Sequence, residues 1–383
     1  CDFLLLLFFI LFFTCPAFCK NIAVIPFQNI TGDKEKNWIG AGFSETLTTK
    51  LVKVSEITVI ERENLSKILE EIKFQYTGAV DEKTAVEKGK MYGADVMVFG
   101  SFQVMGDKLR ITARFVDVQT RKIIDTAEAN GNISDIFKLQ DEIAFNLLDS
   151  LKIVLGEKEK EEIKVNPTEN LTAYQWFSKG CEAYTLKLYD KAIEYNTKAI
   201  QINPKYADAY YNRGCAYDEK GLYDEAIEDY TKVIELTPKR FIKFDNKPKP
   251  VFDPSKLEAF KNNLKLAKTY YNRGIVYGKK KLYDEAIEDY TKAIKLDPKD
   301  ANGYYMRGFT YYVKGSVDET IEDFTKAIED FTKVMELDPK RFIYWLRGNA
   351  YHKKGLYDEA IEDFTKAIKS YSKKDHYFIA NED

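Results

Sequence analysis

The stretch Tyr210–Pro238 reads YYNRGCAYDEKGLYDEAIEDYTKVIELTP, and Tyr270–Pro298 reads YYNRGIVYGKKKLYDEAIEDYTKAIKLDP. Near-identity within one chain leaves few folds open, because a self-similar unit is one supersecondary element stacked on its neighbours. The period is 34 residues, since 173–206 runs directly into 207–240. Tyr210, Gly214 and Tyr217 fall on one helical stripe. Ala226, Tyr230 and Val233 form the matching stripe of a second helix, and Pro238 falls where that helix must stop. Gly214 carries no side chain, so the second helix can pass close. A single such hairpin cannot bury its apolar stripe, which predicts an all-α solenoid.

Five units are present. In the first, 173–206, Trp176, Gly180, Ala192 and Pro204 fit the pattern, and Asn196 takes the aromatic place. The second is 207–240. The third, 267–300, has Tyr270, Gly274, Tyr277, Ala286, Tyr290 and Pro298. The fourth, from Ala301, contains a duplication, IEDFTKA at 321–327 followed by IEDFTKV at 328–334. A heptad is about two helical turns, so the second helix is expected to lengthen without changing its buried face, with Thr320 in the small-residue place. The fifth has Tyr344, Gly348, Tyr351, Ala360 and Phe364, with Ser372 where Pro is expected and a tail at 375–383. Residues 241–266 are an insertion. Lys247-Pro248-Lys249-Pro250 cannot be helical, whereas Asp253-Pro254 reads as a cap and first turn leading through Leu266 into the third unit. The array is open to bending or splitting there.

The chain has 383 residues, a net charge of −3 and a pI near 5.8, which gives nucleic acid little electrostatic pull. Leu4–Phe13 is an unbroken apolar run, short for a bilayer span and of the length of a signal-peptide core. The chain opens on Cys1 rather than on a methionine, and no basic leader precedes the run, so a start further upstream is expected. Three outcomes for 1–19 are open: a cleaved signal peptide ending near Ala17 or Cys19, a lipoprotein leader with Cys15 or Cys19 lipidated, or an uncleaved anchor. Cys181 and Cys215 occupy the same place in two adjacent hairpins. Stacked helices lie roughly 9–10 Å apart, beyond disulfide reach, so both read as small groove-lining thiols.

Residues 20–155 alternate strand and helix signals. Asn21–Phe27 and Ile57–Ile60 read as strands, and Trp38–Val54, Asn64–Phe74 and Glu82–Tyr92 as helices. Asp95–Val104 and Lys108–Val118 read as a hairpin about Gly106-Asp107, Lys122–Ala127 as a further strand, and Asp135–Leu155 as a long amphipathic helix. The expected fold is an α/β domain, a mixed sheet covered by helices. Residues 156–172, GEKEKEEIKVNPTENLT, read as a charged linker, partly helical at its start.

The repeat spacing resembles the tetratricopeptide repeat, a helix–turn–helix hairpin. IAVIPFQNITGD at 22–33, VIERENLSKILEE at 59–71, the run 78–102 and LRITARFVDVQT at 109–120 resemble the periplasmic domain of the CsgG-like curli-secretion lipoproteins. SDIFKLQDEIAFNLLDSL at 134–151 also resembles the TolB amino-terminal-like domains. The resemblance implies an exported protein, in the periplasm or at the periplasmic face of the outer membrane, and self-association through the N-terminal domain. Secretion channels of the family carry extra membrane-spanning hairpins. Here the 95–118 hairpin is short, and Arg110 and Arg114 would make a poor lipid face.

No catalytic, cofactor or metal constellation emerges. The two histidines, His352 and His376, are isolated, and Gly40-Ala41-Gly42 lacks the spacing of a dinucleotide loop. Asp224/Glu225, Asp284/Glu285 and Asp358/Glu359 open second helices, where the dipole favours negative charge. In hairpins of this kind the first helices line a concave face, on which Phe177, Tyr211, Tyr271, Tyr305 and Trp345 are expected to point inward. Cys181, Cys215, Ile275, Phe309 and Asn349 lie one turn further. With Asn212 and Asn272, this ladder is the candidate groove for a protein or peptide partner. The family's clamp for acidic chaperone tails is matched by Asn212 and Lys268 but not at Phe177, Cys181 or Asn272. The expected function is a non-enzymatic envelope scaffold. The alternatives are an oligomeric part of an outer-membrane transport assembly or a regulator of an envelope enzyme.

Overall fold

A computed structural model describes residues 20–379, apart from 55, 61, 74–80, 167, 239–253 and 340–342. The leader, part of the 78–102 run and most of the insertion, including Lys247–Pro250, lie outside the described residues. The described residues form two compact units, one of 20–212 with 254–257, the other of 213–238 and 258–379.

The first unit is built on a six-stranded mixed sheet of order β3-β1-β4-β5-β6, with β2 beside β4. Its strands are β1 (Lys20–Val24), β2 (Gln28–Asn29), β3 (Ile57–Val59), β4 (Val96–Met105), β5 (Lys108–Asp117) and β6 (Ile123–Asn132). β1 pairs in parallel with β3 and β4, and β4, β5 and β6 are antiparallel. Gly106-Asp107 closes the β4–β5 hairpin, with Met105 opposite Lys108 and Gly106 at φ 62°. A positive φ at the first central position is a tight hairpin turn that glycine alone adopts without cost.

Alternation along each strand separates two cores. Ile22, Val24, Val96 and Val98 face Phe43, Leu47, Ile143 and Leu147 of α1 (Trp38–Leu51) and α4 (Ile136–Ser150). Ala23, Ile25, Met97 and Phe99 face Ile68, Leu69, Ala85 and Val86 of α2 (Arg62–Glu71) and α3 (Glu82–Met91). The sheet is therefore covered on both faces, as its residue pattern predicts.

The stretch 156–172 is more than a linker. It carries α5 (Glu157–Lys164) and is tied back to α1. The buried Lys50 ammonium donates to Asp141 at 2.6 Å, to the Ile163 carbonyl at 2.8 Å and to Asn166 Oδ1 at 3.0 Å. Lys53 donates to the Glu162 and Val165 carbonyls. The first repeat hairpin, α6 (Leu171–Thr185) and α7 (Tyr189–Ile202), belongs to the same unit. Tyr174 is fully buried, takes hydrogen bonds from Gln140 Nε2 and Thr46 Oγ1, and lies edge-on to Phe137. A Cβ at Gly42 would sit 2.1 Å from Ser178 Oγ, so α6 packs on α1 only because this position is glycine.

α8 (Ala207–Glu219) opens the second repeat, and the second unit continues with α9 (Tyr223–Leu236), α10 (Pro254–Lys279), α11 (Tyr283–Leu296), α12 (Ala301–Asp318), α13 (Ile321–Leu337), α14 (Tyr344–Lys354) and α15 (Tyr357–Ile379). The fourth hairpin departs from expectation. Both of its helices lengthen, Thr320 lies exposed at the N-cap of α13, and the fully buried Ala327 fills the small-residue place. The repeated heptad lets the chain choose between two registers, and the longer hairpin keeps Val334 packed with Ile343 and Ala350 of the fifth. α15 runs on to Ile379, into the stretch expected as a tail.

Candidate partner-binding face of the repeat units

Each first helix of the second unit is fixed by an arginine directly before the repeat glycine. Arg213, Arg273, Arg307 and Arg347 each form a bidentate fork to a buried aspartate, respectively Asp229, Asp289, Asp330 and Asp363, over N–O distances of 2.7–2.9 Å. The remaining guanidinium nitrogen reaches back to the preceding repeat: Arg273 to Thr231 at 2.7 Å, Arg307 to Thr291 at 3.0 Å and Arg347 to Thr332 at 3.0 Å. One side chain thus closes its own hairpin and ties it to the previous one. Arg273 also lies between the rings of Tyr270 and Tyr277. Burial pushes the Asp229 and Asp330 carboxyls up, and the guanidinium at hydrogen-bond distance opposes it.

In the first hairpin the fork is replaced by a stack. Lys179 and Lys198 lie over Trp176, which packs on Tyr195. Sequence reasoning misses the fork, although its signal is plain: Arg before the glycine and Asp before the second helix's aromatic, repeated in units two to five. Two of the acidic pairs have a partner as well. Asp224 meets Lys280 and Asp284 meets Lys314, each in the following hairpin.

Within this frame the expected ladder divides. In the second unit Trp345 is 59% exposed and Phe309 39%, on α14 and α12. Tyr271, Asn272, Tyr305 and Asn349 are half-buried. Tyr305 packs toward Phe331 and Tyr271 toward Tyr290, so both rings belong partly to their hairpins. In the first unit Tyr211 is half-buried, whereas Phe177 and Asn212 are buried. Phe177 lies against Tyr206, and Asn212 donates to Cys181 Sγ at 3.4 Å. These two residues are core and offer no surface. Cys181 and Cys215 are also buried rather than groove-lining, Cys215 accepting from Tyr230 Oη. His352 is exposed beside Tyr357.

Among the described residues no three His, Cys, Asp or Glu side chains could hold a metal ion, and no helix is long and apolar enough to cross a membrane.

The tetratricopeptide-repeat family matches this chain at 173–206, 207–240, 267–300 and 346–373, with further repeat matches at 289–322 and 310–341. The curli production assembly/transport component CsgG matches residues 14–105. A protein of Rhizobium meliloti (strain 1021) provisionally named adenylate cyclase 3 is 31% identical over 153 residues, 38% of this chain and 24% of that protein. The chain therefore spans about a quarter of this relative's length. Similar solved structures include the MamA protein, at 26% identity over 54% of this chain and 95% of that one, with a TM-score of 0.43. MamA from Desulfovibrio magneticus RS-1 is 21% identical over 58% of this chain and 99% of its own, with a TM-score of 0.42. YrrB, a TPR protein with an unusual peptide-binding site, is 20% identical over 56% of this chain and 92% of its own, with a TM-score of 0.39.

Proposed function

We propose that this chain, a tetratricopeptide-repeat protein with a CsgG-like amino-terminal domain, is a non-enzymatic scaffold of the bacterial envelope that holds a protein or peptide partner on its repeats. The observation that carries this reading is Trp345. The Arg347–Asp363 fork and the Arg347–Thr332 bond fix the helix that bears it, yet its ring stays exposed. Large exposed rings on rigid helices are the usual anchors of protein interfaces. Phe309 and the half-buried Tyr305 and Tyr271 extend the aromatic character of the first helices. The CsgG match and the apolar run Leu4–Phe13 support export to the periplasm or its outer-membrane face. Replacing Trp345 by Ala should weaken capture of the partner at least tenfold.

The CsgG match favours one second reading, an oligomeric subunit of a transport assembly. The two-residue β4–β5 turn and the pairing of Arg110 with Glu128 and of Arg114 with Glu82 fit a domain without lipid-facing hairpins. Purified chain in a planar bilayer should give no conductance steps, and steps would favour transport. Because a relative is named a cyclase, the chain should also be incubated with ATP and Mg2+. Cyclic AMP formation would overturn the non-enzymatic reading.

A further inference from the structure

In the flanking hairpins the turn residue with positive φ lies seven places after the repeat glycine: Gly221 after Gly214, Lys281 after Gly274 and Gly355 after Gly348. In the fourth hairpin that place is Gly315, which sits inside α12, while the turn is made by Glu319 at φ 56° and ψ 34°. A glycine stands in a helix and a bulky residue in the left-handed region, each the costlier choice. The facing helix carries two equivalent landing points. A Cβ at Gly308 would meet Asp330 and Phe331, and one at Gly315 would meet Asp323 and Phe324. Asp323 lies 16 residues after Arg307, the separation at which Arg273 and Arg347 find their aspartates.

We propose that the fourth hairpin is a two-register element, in which α13 slides one heptad along α12. Asp323 then replaces Asp330 at the Arg307 fork, Phe324 replaces Phe331 on Gly308, and the turn moves from Glu319 to Gly315. The slide is about 10 Å, the rise of seven helical residues. The slipped form recovers the glycine turn but must seat Thr320 where Ala327 sits now. It also puts Thr325, Phe324 and Ala327 where Thr332, Phe331 and Val334 now stand beside Arg347, Ile343 and Ala350, so the Arg347–threonine bond can re-form while the seam to the fifth hairpin, with Trp345, trades Val334 for the smaller Ala327. Two packings of one hairpin that hold the fifth hairpin through different seam residues make a switch built into the array.

The test uses cysteine pairs in the full chain, linked by a short bis-maleimide and scored by mass spectrometry of the linked peptides, with Asp323 kept. Lys326 lies over the Tyr311 ring, 5.5 Å from its centroid, so Y311C/K326C links in the observed register, whereas Y304C/K326C, one heptad earlier on α12, links in the slipped one. Asp330→Ala leaves Asp323 to take the fork and should raise Y304C/K326C linking at least tenfold. Thr320→Ala, at a position exposed in the observed form, should raise it severalfold without loss of helicity. Linking of Y311C/K326C alone in both backgrounds would overturn the proposal. If Asp330→Ala prevents folding, Thr320→Ala decides: an unchanged Y304C/K326C yield overturns it.

Discussion

Arg307 forks Asp330 across 23 residues of chain, whereas Arg273 and Asp289 close the same fork across 16. The pairing geometry is kept while the hairpin around it grows by a heptad, so the fork, and not the loop length, is the invariant of units two to five. Removing one partner leaves a buried charge. Arg273→Ala should therefore cost about 3–5 kcal/mol, while the paired change Arg273→Met with Asp289→Leu should stay within roughly 1 kcal/mol of the parent. Urea denaturation of the full chain measures both, and equal losses would contradict the account.

Lys50 makes the corresponding bond in the first unit. It is buried at 1% exposure and holds Asp141 together with the 163–166 backbone and side chains. Burial lowers the Lys50 ammonium pKa, against the bond to Asp141 that supports its charge. Lys50→Met should destabilise the unit by about 3 kcal/mol. It should also speed tryptic cleavage at Lys160 and Lys164, and unchanged cleavage would return 156–172 to the status of a loose linker.

Glu182 gives a pH signature. Burial lifts its carboxyl to about 6, against the bond from Asn37. Between about 4.5 and 6 the folded state keeps a proton that the unfolded chain has released, so stability falls as pH rises through that window. Glu182→Gln should be more stable than the parent at pH 7 by about 1 kcal/mol, after allowance for its partial exposure, and nearly equal to it at pH 4. Melting curves across this range show the difference, and a flat difference contradicts the assignment.

The period of the repeats and the alternation of β4 and β5 make the fold readable from residues alone, because each element's apolar spacing matches its geometry. The site is less readable. Phe177 and Asn212 occupy groove positions by count, yet Phe177 packs against Tyr206 and Asn212 bonds Cys181, contacts that spacing does not encode. Thr320 is misplaced by its pattern because a duplicated heptad gives two registers the same spacing, and the choice depends on packing against Ile343 and Ala350 downstream. The arginine forks are present in the sequence but join residues on different helices, outside any helical period.

Exposure separates two rings that the sequence treats alike. Tyr305→Ala should cost about 2–3 kcal/mol of stability, because its ring packs with Phe331 and the fourth hairpin's core. Trp345→Ala should cost less than about 1 kcal/mol, as exposed substitutions do. Equal shifts in melting temperature would mean that Trp345 is also core.

The most direct measurement is affinity at Trp345. A peptide selected from a random library against the full chain should be titrated calorimetrically into the parent and into Trp345→Ala. Loss of an aromatic anchor predicts a drop of about 2–4 kcal/mol, roughly 30-fold or more in Kd, with the melting temperature nearly unchanged. An unchanged Kd would contradict the assignment of this face as the partner site.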